Sequence, residues 1–210
     1  MLLEPERGLV ADYCIRMVAD GLVVGTSGNI SVRSDELVAI SPSGVDYPEL
    51  SAKLVGVHRL DGSPVEAPRP PSTELPMHLA AYRHSDAGAV VHTHSTAATA
   101  VSTLVDELPP IHYLIALFGG SVRVAGYATY GTTALAEQLT AALAGRTGCL
   151  LANHGAVTIG TTLAQAYARA TYLEWLCEVW LLASAHGNPR LLPADEIDRV
   201  AAKLAAYGAR

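Results

Sequence analysis

The stretch AGAVVHTH, residues 87–94, decides how this chain is read. Ala89, Val90 and Val91 have the small and β-branched character of a buried strand, and the Ala/Thr-rich run to about Leu104 reads as a helix packed next to it. Two imidazoles, His92 and His94, end the strand. Side chains alternate faces along a strand, so these two point the same way and Thr93 points the other. Their ring nitrogens can therefore meet on one ion at the ~2.0–2.1 Å of a zinc–imidazole bond. Standing alone, the pair reads first as two polar residues at a strand end, satisfied by neighbours or water.

Outward from this strand, hairpins and helices alternate. Residues 5–20 carry Leu9, Tyr13, Met17 and Val10, Cys14, Val18 at helical spacing, with Pro5 to open the helix and Gly21 to close it. NISVRSDELVAISPSG (29–44) reads as two short strands turned at Ser34-Asp35-Glu36, and KLVGVHRLDGSPVE (53–66) repeats the pattern with Asp61-Gly62 as the turn. Ser72 or Thr73 is expected to cap a helix from Glu74 to about Arg83. A strand is expected near 121–125 and a helix over 133–144. Two strands over 148–160 break at Asn153-His154-Gly155. A long amphipathic helix runs over 161–187, and a last helix over 193–208. Residues 106–120 carry no clear periodicity. The expected fold is one α/β domain over residues 1–210, with helices packed on a mixed, largely antiparallel sheet.

Bulk composition narrows the function. The chain has 210 residues, half of them hydrophobic, and a net charge of -6. An acidic protein is not drawn to nucleic acid or to an anionic membrane surface. No apolar run approaches the ~20 residues of a membrane span, and the amino terminus lacks the basic and apolar regions of a signal peptide. The three scattered cysteines suit reduced thiols in a cytoplasm. Lys53 and Lys203 are the only lysines and lie in no motif, so Schiff-base chemistry has little to stand on.

A third histidine changes the reading of the first two. His154 sits at the Gly-marked break in LLANHGAVTIG, and three neutral imidazoles with an open fourth position describe a catalytic zinc site. Glu74 in PSTELPMH could be a general base or a dissociable ligand, although an acid at a helix start commonly does no more than complement the dipole. GTSGNIS (25–31) and SPSG (41–44) are loops of the kind that turn N–H groups and hydroxyls on a phosphate, or that simply turn. His58, His84 and His186 read as surface or structural, while His78 and His112 lack comparable context.

Taken in order, GLVVGTSGNIS, ISPSGVDY, PSTELPMH, VVHTHS, PPIHYLIA, GYATYGT and LLANHGAVTIG resemble the class II aldolase/adducin-like family over nearly the whole chain. The resemblance implies a three-layer α/β/α subunit in a homotetramer with sites at subunit borders. It implies Zn2+, or another divalent metal, on His92, His94 and His154, with Glu74 as the catalytic carboxylate. Asn29, Ser43, Gly44, Ser72 and Thr73 fall on its phosphate loops. Tyr113 falls on a catalytic tyrosine that reaches in from a neighbouring subunit, and Tyr207 on a second tyrosine near the C-terminus. Tyr130 stands in the aldehyde pocket, where an aldolase of the family has Phe. The implied reaction is reversible cleavage of a sugar phosphate, L-fuculose 1-phosphate or a related ketose 1-phosphate, to dihydroxyacetone phosphate and L-lactaldehyde or another aldehyde. Other family activities remain open, among them 4-epimerisation of L-ribulose 5-phosphate. So does an adducin-like interaction module, though such modules lack the metal ligands.

Overall fold

The computed structural model describes residues 1–208, and side chains as far as residue 206. Nine strands form one sheet: β1 (Asn29–Ser34), β2 (Leu37–Ile40), β3 (Gly56–Arg59), β4 (Pro64–Glu66), β5 (Ala89–Thr93), β6 (Glu107–Leu108), β7 (Val122–Ala125), β8 (Gly148–Leu151) and β9 (Gly155–Gly160). Their spatial order is β4-β3-β2-β1-β5-β9-β8-β7-β6. Only β7 and β8 pair in parallel; every other pairing is antiparallel. The two hairpins turn where the sequence reading put them, with Asp35 at φ 52° and Gly62 at φ 91°.

Among the described residues six α-helices cover the sheet: α1 (Glu4–Ala19), α2 (Leu75–Arg83), α3 (Thr96–Ser102), α4 (Thr133–Leu143), α5 (Leu163–Ser184) and α6 (Ala194–Gly208). Strand alternation sorts the core into layers. Val38, Ile40, Val90, Cys149, Leu151 and Val157 face α2 and α4. Ala39, Ala89 and Val91 face α1 and the start of α5, while Leu150 and Ala156 face α3, α6 and the rest of α5. The result is the expected three-layer α/β/α arrangement. The α5 stripe of Leu163, Ala166, Tyr167, Ala170, Leu173 and Cys177 is buried at helical spacing. Each leucine there contributes about 1.5–3 kcal/mol relative to an exposed position.

The structure corrects one expectation and gives form to one segment that had none. Neither Ser72 nor Thr73 caps α2: the N-cap is Glu74, and no side chain bonds to the first helical N–H groups. The Ser72 hydroxyl instead accepts from the Glu74 N–H at 3.2 Å, so residues 72–74 form a turn ahead of the helix. Residues 106–120, which had no readable period, form the two-residue strand β6 and a 3-10 helix over Tyr113–Phe118. That helix has three residues per turn, a period that neither the helix nor the strand template matches.

Candidate active site

The strand register assembles the site. Asn29 of β1 pairs with His92 of β5, and His92 pairs with Val157 of β9. Partners directly opposite one another share a face of the sheet. Asn29 and His92 therefore emerge side by side beneath the start of α2, where Glu74 stands. His154 precedes β9, in the β8–β9 turn. Asn153 adopts a left-handed φ of 55° there, a conformation that Asn tolerates. The turn thereby lays His154 over the end of β5.

Four predicted residues converge. Glu74, His92, His94 and His154 each offer one ligand atom, and these atoms all lie within 4.8 Å of one another. The three imidazoles are mutually edge-on, with centroids 4.7–4.8 Å apart. His92 Nε2 is 2.9 Å from His94 Nε2 and 3.0 Å from Glu74 Oε2, and His154 Nε2 is 3.3 Å from Glu74 Oε1.

This donor set fits a divalent metal. His92 Nδ1 donates to the Ala156 carbonyl at 2.9 Å. In the neutral ring that leaves the lone pair on Nε2, the atom aimed into the cluster. Burial of His92 is complete, so the lone pair meets the Glu74 carboxylate without water between them. Electron pairs facing one another in a dry site need a cation among them. Glu74 Oε1 is also buried and makes no hydrogen bond.

The electrostatics agree. Burial lowers the His94 pKa to about 3 and that of His154 to about 4, with repulsion from His92 adding to each. Both rings are thus neutral and able to bind a metal at ordinary pH. At Glu74, burial works to raise the pKa. In the metal-free site a proton on His92 Nε2 would do the cation's work, first by its charge and then by its hydrogen bond; with the Asn29 amide and, last, a charge at His154, it outweighs burial and holds the carboxyl well below the usual range.

Above the cluster lies a cavity of about 430 Å³. Asn29, Ser43, Gly44, Ser72, Thr73 and Tyr130 all line it, so the three predicted phosphate segments and the predicted aldehyde-pocket residue meet in one place. The Asn29 side chain is already engaged: its amide donates to Glu74 Oε2 at 2.9 Å, and its Oδ1 accepts from His78 Nε2 at 2.5 Å. Tyr113 does not line the cavity. It sits on the surface, 47% exposed, with its ring 4.4 Å from that of His112, which in turn packs against Trp175. The Tyr207 side chain lies outside the described residues.

Sequence reading passed over His78, which is fully buried against Asn29 and Ser31. One signal was available: His78 stands four residues after Glu74, one helical turn further along the same face. His58, expected at the surface or in a structural role, is buried at 2% exposure. No helix among the described residues is long and apolar enough to cross a membrane.

With this geometry in place, similarity to known proteins adds the lineage. Residues 8–181 match the family described as Class II Aldolase and Adducin N-terminal domain. The chain is 42% identical to the 5-deoxy-D-ribulose 1-phosphate aldolase of Bacillus thuringiensis serovar kurstaki, over 99% of each chain. It is 39% identical to the 5-methylthioribulose-1-phosphate/5-deoxyribulose-1-phosphate aldolase of Rhodospirillum rubrum, over 97% of this chain and 92% of that one. A solved L-fuculose 1-phosphate aldolase superposes with a TM-score of 0.93 at 38% identity, covering 95% of this chain and 96% of that one.

Proposed function

The chain belongs to the class II aldolase and adducin family and is a metal-dependent lyase; we propose that it reversibly cleaves a ketose 1-phosphate with a terminal deoxy carbon, giving dihydroxyacetone phosphate and a short aldehyde. The convergence of Glu74 and three histidines under the hydroxyl-lined cavity carries this reading. It also speaks against an adducin-like interaction module, which has no use for a buried carboxylate among neutral imidazoles. The 42% identical relative favours 5-deoxyribulose 1-phosphate as substrate. L-Fuculose 1-phosphate is the second reading, favoured by the closeness of the solved aldolase.

When bound, a divalent ion such as Zn2+ on His92, His94 and His154 supplies Lewis-acid stabilisation of the charge that develops at the substrate carbonyl oxygen. The chain's own groups do the rest. Ser43, Gly44, Ser72 and Thr73 hold the phosphate through hydroxyl and backbone N–H donors, which need no lysine. This fixes the C3–C4 bond of the sugar over the cluster. In condensation the ionised Glu74 takes the C3 proton of dihydroxyacetone phosphate; in cleavage the proton given up by the C4 hydroxyl passes to Glu74, which delivers it to C3 once C3–C4 has broken, so no net proton is gained or lost. Tyr113 exchanges the proton at the C4 oxygen, and Tyr130 walls the aldehyde side of the cavity.

Tyr113 is exposed and lies off its own chain's cavity, its ring against that of His112, which packs on the exposed Trp175 of α5. That placement supports a homotetramer in which Tyr113 serves a neighbour's site. Three buried, unpaired cysteines suit the reducing cytoplasm as its location.

Incubation with dihydroxyacetone phosphate and acetaldehyde, L-lactaldehyde or glycolaldehyde tests the assignment. Metal-dependent condensation, fastest with acetaldehyde or lactaldehyde, is expected. Epimerisation of L-ribulose 5-phosphate with no condensation would overturn it.

A further inference from the structure

Behind Glu74 lies a buried chain of polar side chains. Asn29 Nδ2 donates to Glu74 Oε2 at 2.9 Å. Asn29 Oδ1 meets His78 Nε2 at 2.5 Å, His78 Nδ1 meets Ser31 Oγ at 2.7 Å, and Ser31 Oγ meets the Tyr82 hydroxyl at 2.7 Å. All five residues are at most 5% exposed. Water therefore cannot stand in for any missing partner, and each link must be made by the next side chain.

The chain exists because two periods match. Glu74, His78 and Tyr82 are four residues apart on α2 and its N-cap, a rise of about 6 Å per step. Asn29 and Ser31 are two apart on β1, a rise of about 6.6 Å. Helix and strand can therefore zip their polar groups together, each strand side chain bridging two helical ones.

Chemistry gives the chain a direction. An ionised Glu74 can only accept, so Asn29 must present its NH2 to the carboxylate and its carbonyl to His78. His78 Nε2 must then carry the ring proton, which leaves Nδ1 to accept from the Ser31 hydroxyl. Ser31 in turn accepts from Tyr82. Burial keeps the His78 ring neutral, with its pKa lowered to about 3.

We propose that His78 is a positioning residue for Glu74: through Asn29 it fixes Oε2 as a permanent acceptor and leaves Oε1 as the oxygen that carries the C3 proton. A proton on Oε2 would face the Asn29 N–H, and every link behind it would have to reverse. Oε1 makes no hydrogen bond and is free to be protonated. This inference rests on the aldolase reading for the identity of the proton, but not for the order of the hydrogen bonds.

Two readouts test it. The first needs no activity: 15N NMR of the metal-free protein at neutral pH should show His78 as the Nε2–H tautomer, and the Nδ1–H tautomer would overturn the proposal. The second compares metal-loaded wild type with His78→Phe and His78→Gln. In His78→Phe, kcat for cleavage and the exchange of the dihydroxyacetone phosphate C3 proton should fall together by roughly 10–100-fold, with KM and metal content near wild type. His78→Gln keeps an N–H for Asn29 Oδ1 and should recover much of the loss. If His78→Phe does not fold, Ser31→Ala takes its place, with a smaller parallel loss expected. Full exchange in a folded variant that retains its metal would overturn the role of His78. A wild type that neither cleaves nor exchanges would instead overturn the aldolase reading, while the tautomer would still judge the chain.

Discussion

Gly155 approaches Thr93 so closely that a Cβ at 155 would stand 2.1 Å from the Thr93 carbonyl oxygen. This contact presses the start of β9 against the end of β5 and so brings His154 to His92 and His94. Even the smallest side chain at Gly155 must push the two strands apart. Gly155→Ala should cost about 1–3 kcal/mol of stability, as overpacked sites do. It should also weaken metal binding, although no ligand is touched. Thermal melts with and without added zinc, together with elemental analysis, check both effects; unchanged metal content would show that His154 is held by something else.

Ligand and base should separate on mutation. His92→Ala or His154→Ala is expected to lose bound metal and activity together. Glu74→Gln should retain metal on the three imidazoles and lose turnover by ~10²–10⁴, the usual contribution of a general base. Metal analysis beside steady-state kinetics distinguishes the two, and full activity in Glu74→Gln would rule that residue out as the base.

Tyr113 offers a different dissection. It lies off its own chain's cavity, so Tyr113→Phe should leave metal and phosphate binding intact. Its proton belongs to the C4 oxygen and not to C3. Cleavage should therefore suffer more than exchange of the dihydroxyacetone phosphate C3 proton into deuterated water. Equal damage to both reactions would contradict its assigned place in the chemistry.

Buried neutral histidine should also make stability depend on pH. Burial lowers the His78 pKa to about 3, with the His92 charge adding to the effect and Glu74 opposing it. In the unfolded chain the same ring titrates near its ordinary value of about 6.5. As pH falls below that value, the unfolded state takes up the proton first, so stability declines until the folded pKa is reached. At pH 5 the loss from His78 alone is about 2 kcal/mol. His94 and His154, lowered to about 3 and about 4, act in the same direction in the metal-free protein. Urea midpoints should therefore drop between pH 7.5 and pH 5, and drop less in His78→Gln. A midpoint that holds or rises would count against burial of the neutral ring.

Much of the molecule could be read without coordinates. The hairpin turns, the buried strands and the α5 stripe follow from side-chain period and turn chemistry, which act over a few residues. His92 and His94 share a face because strand alternation allows nothing else. The 3-10 segment over Tyr113–Phe118 escaped because its period matches neither template. The cap of α2 was misplaced because Ser72 turns its hydroxyl to the Glu74 N–H.

Sequence alone determined the class of fold, and brought forward the histidines and carboxylate that converge and the loops that line one cavity, because these depend on composition and local spacing. Only tertiary structure decided that His154 meets His92 across 62 positions of chain, that Asn29 lies beside His92, and that His78 stands behind Glu74. Those meetings depend on strand register and on one close backbone contact at Gly155, and both are set by how the layers pack, which no local pattern of residues encodes.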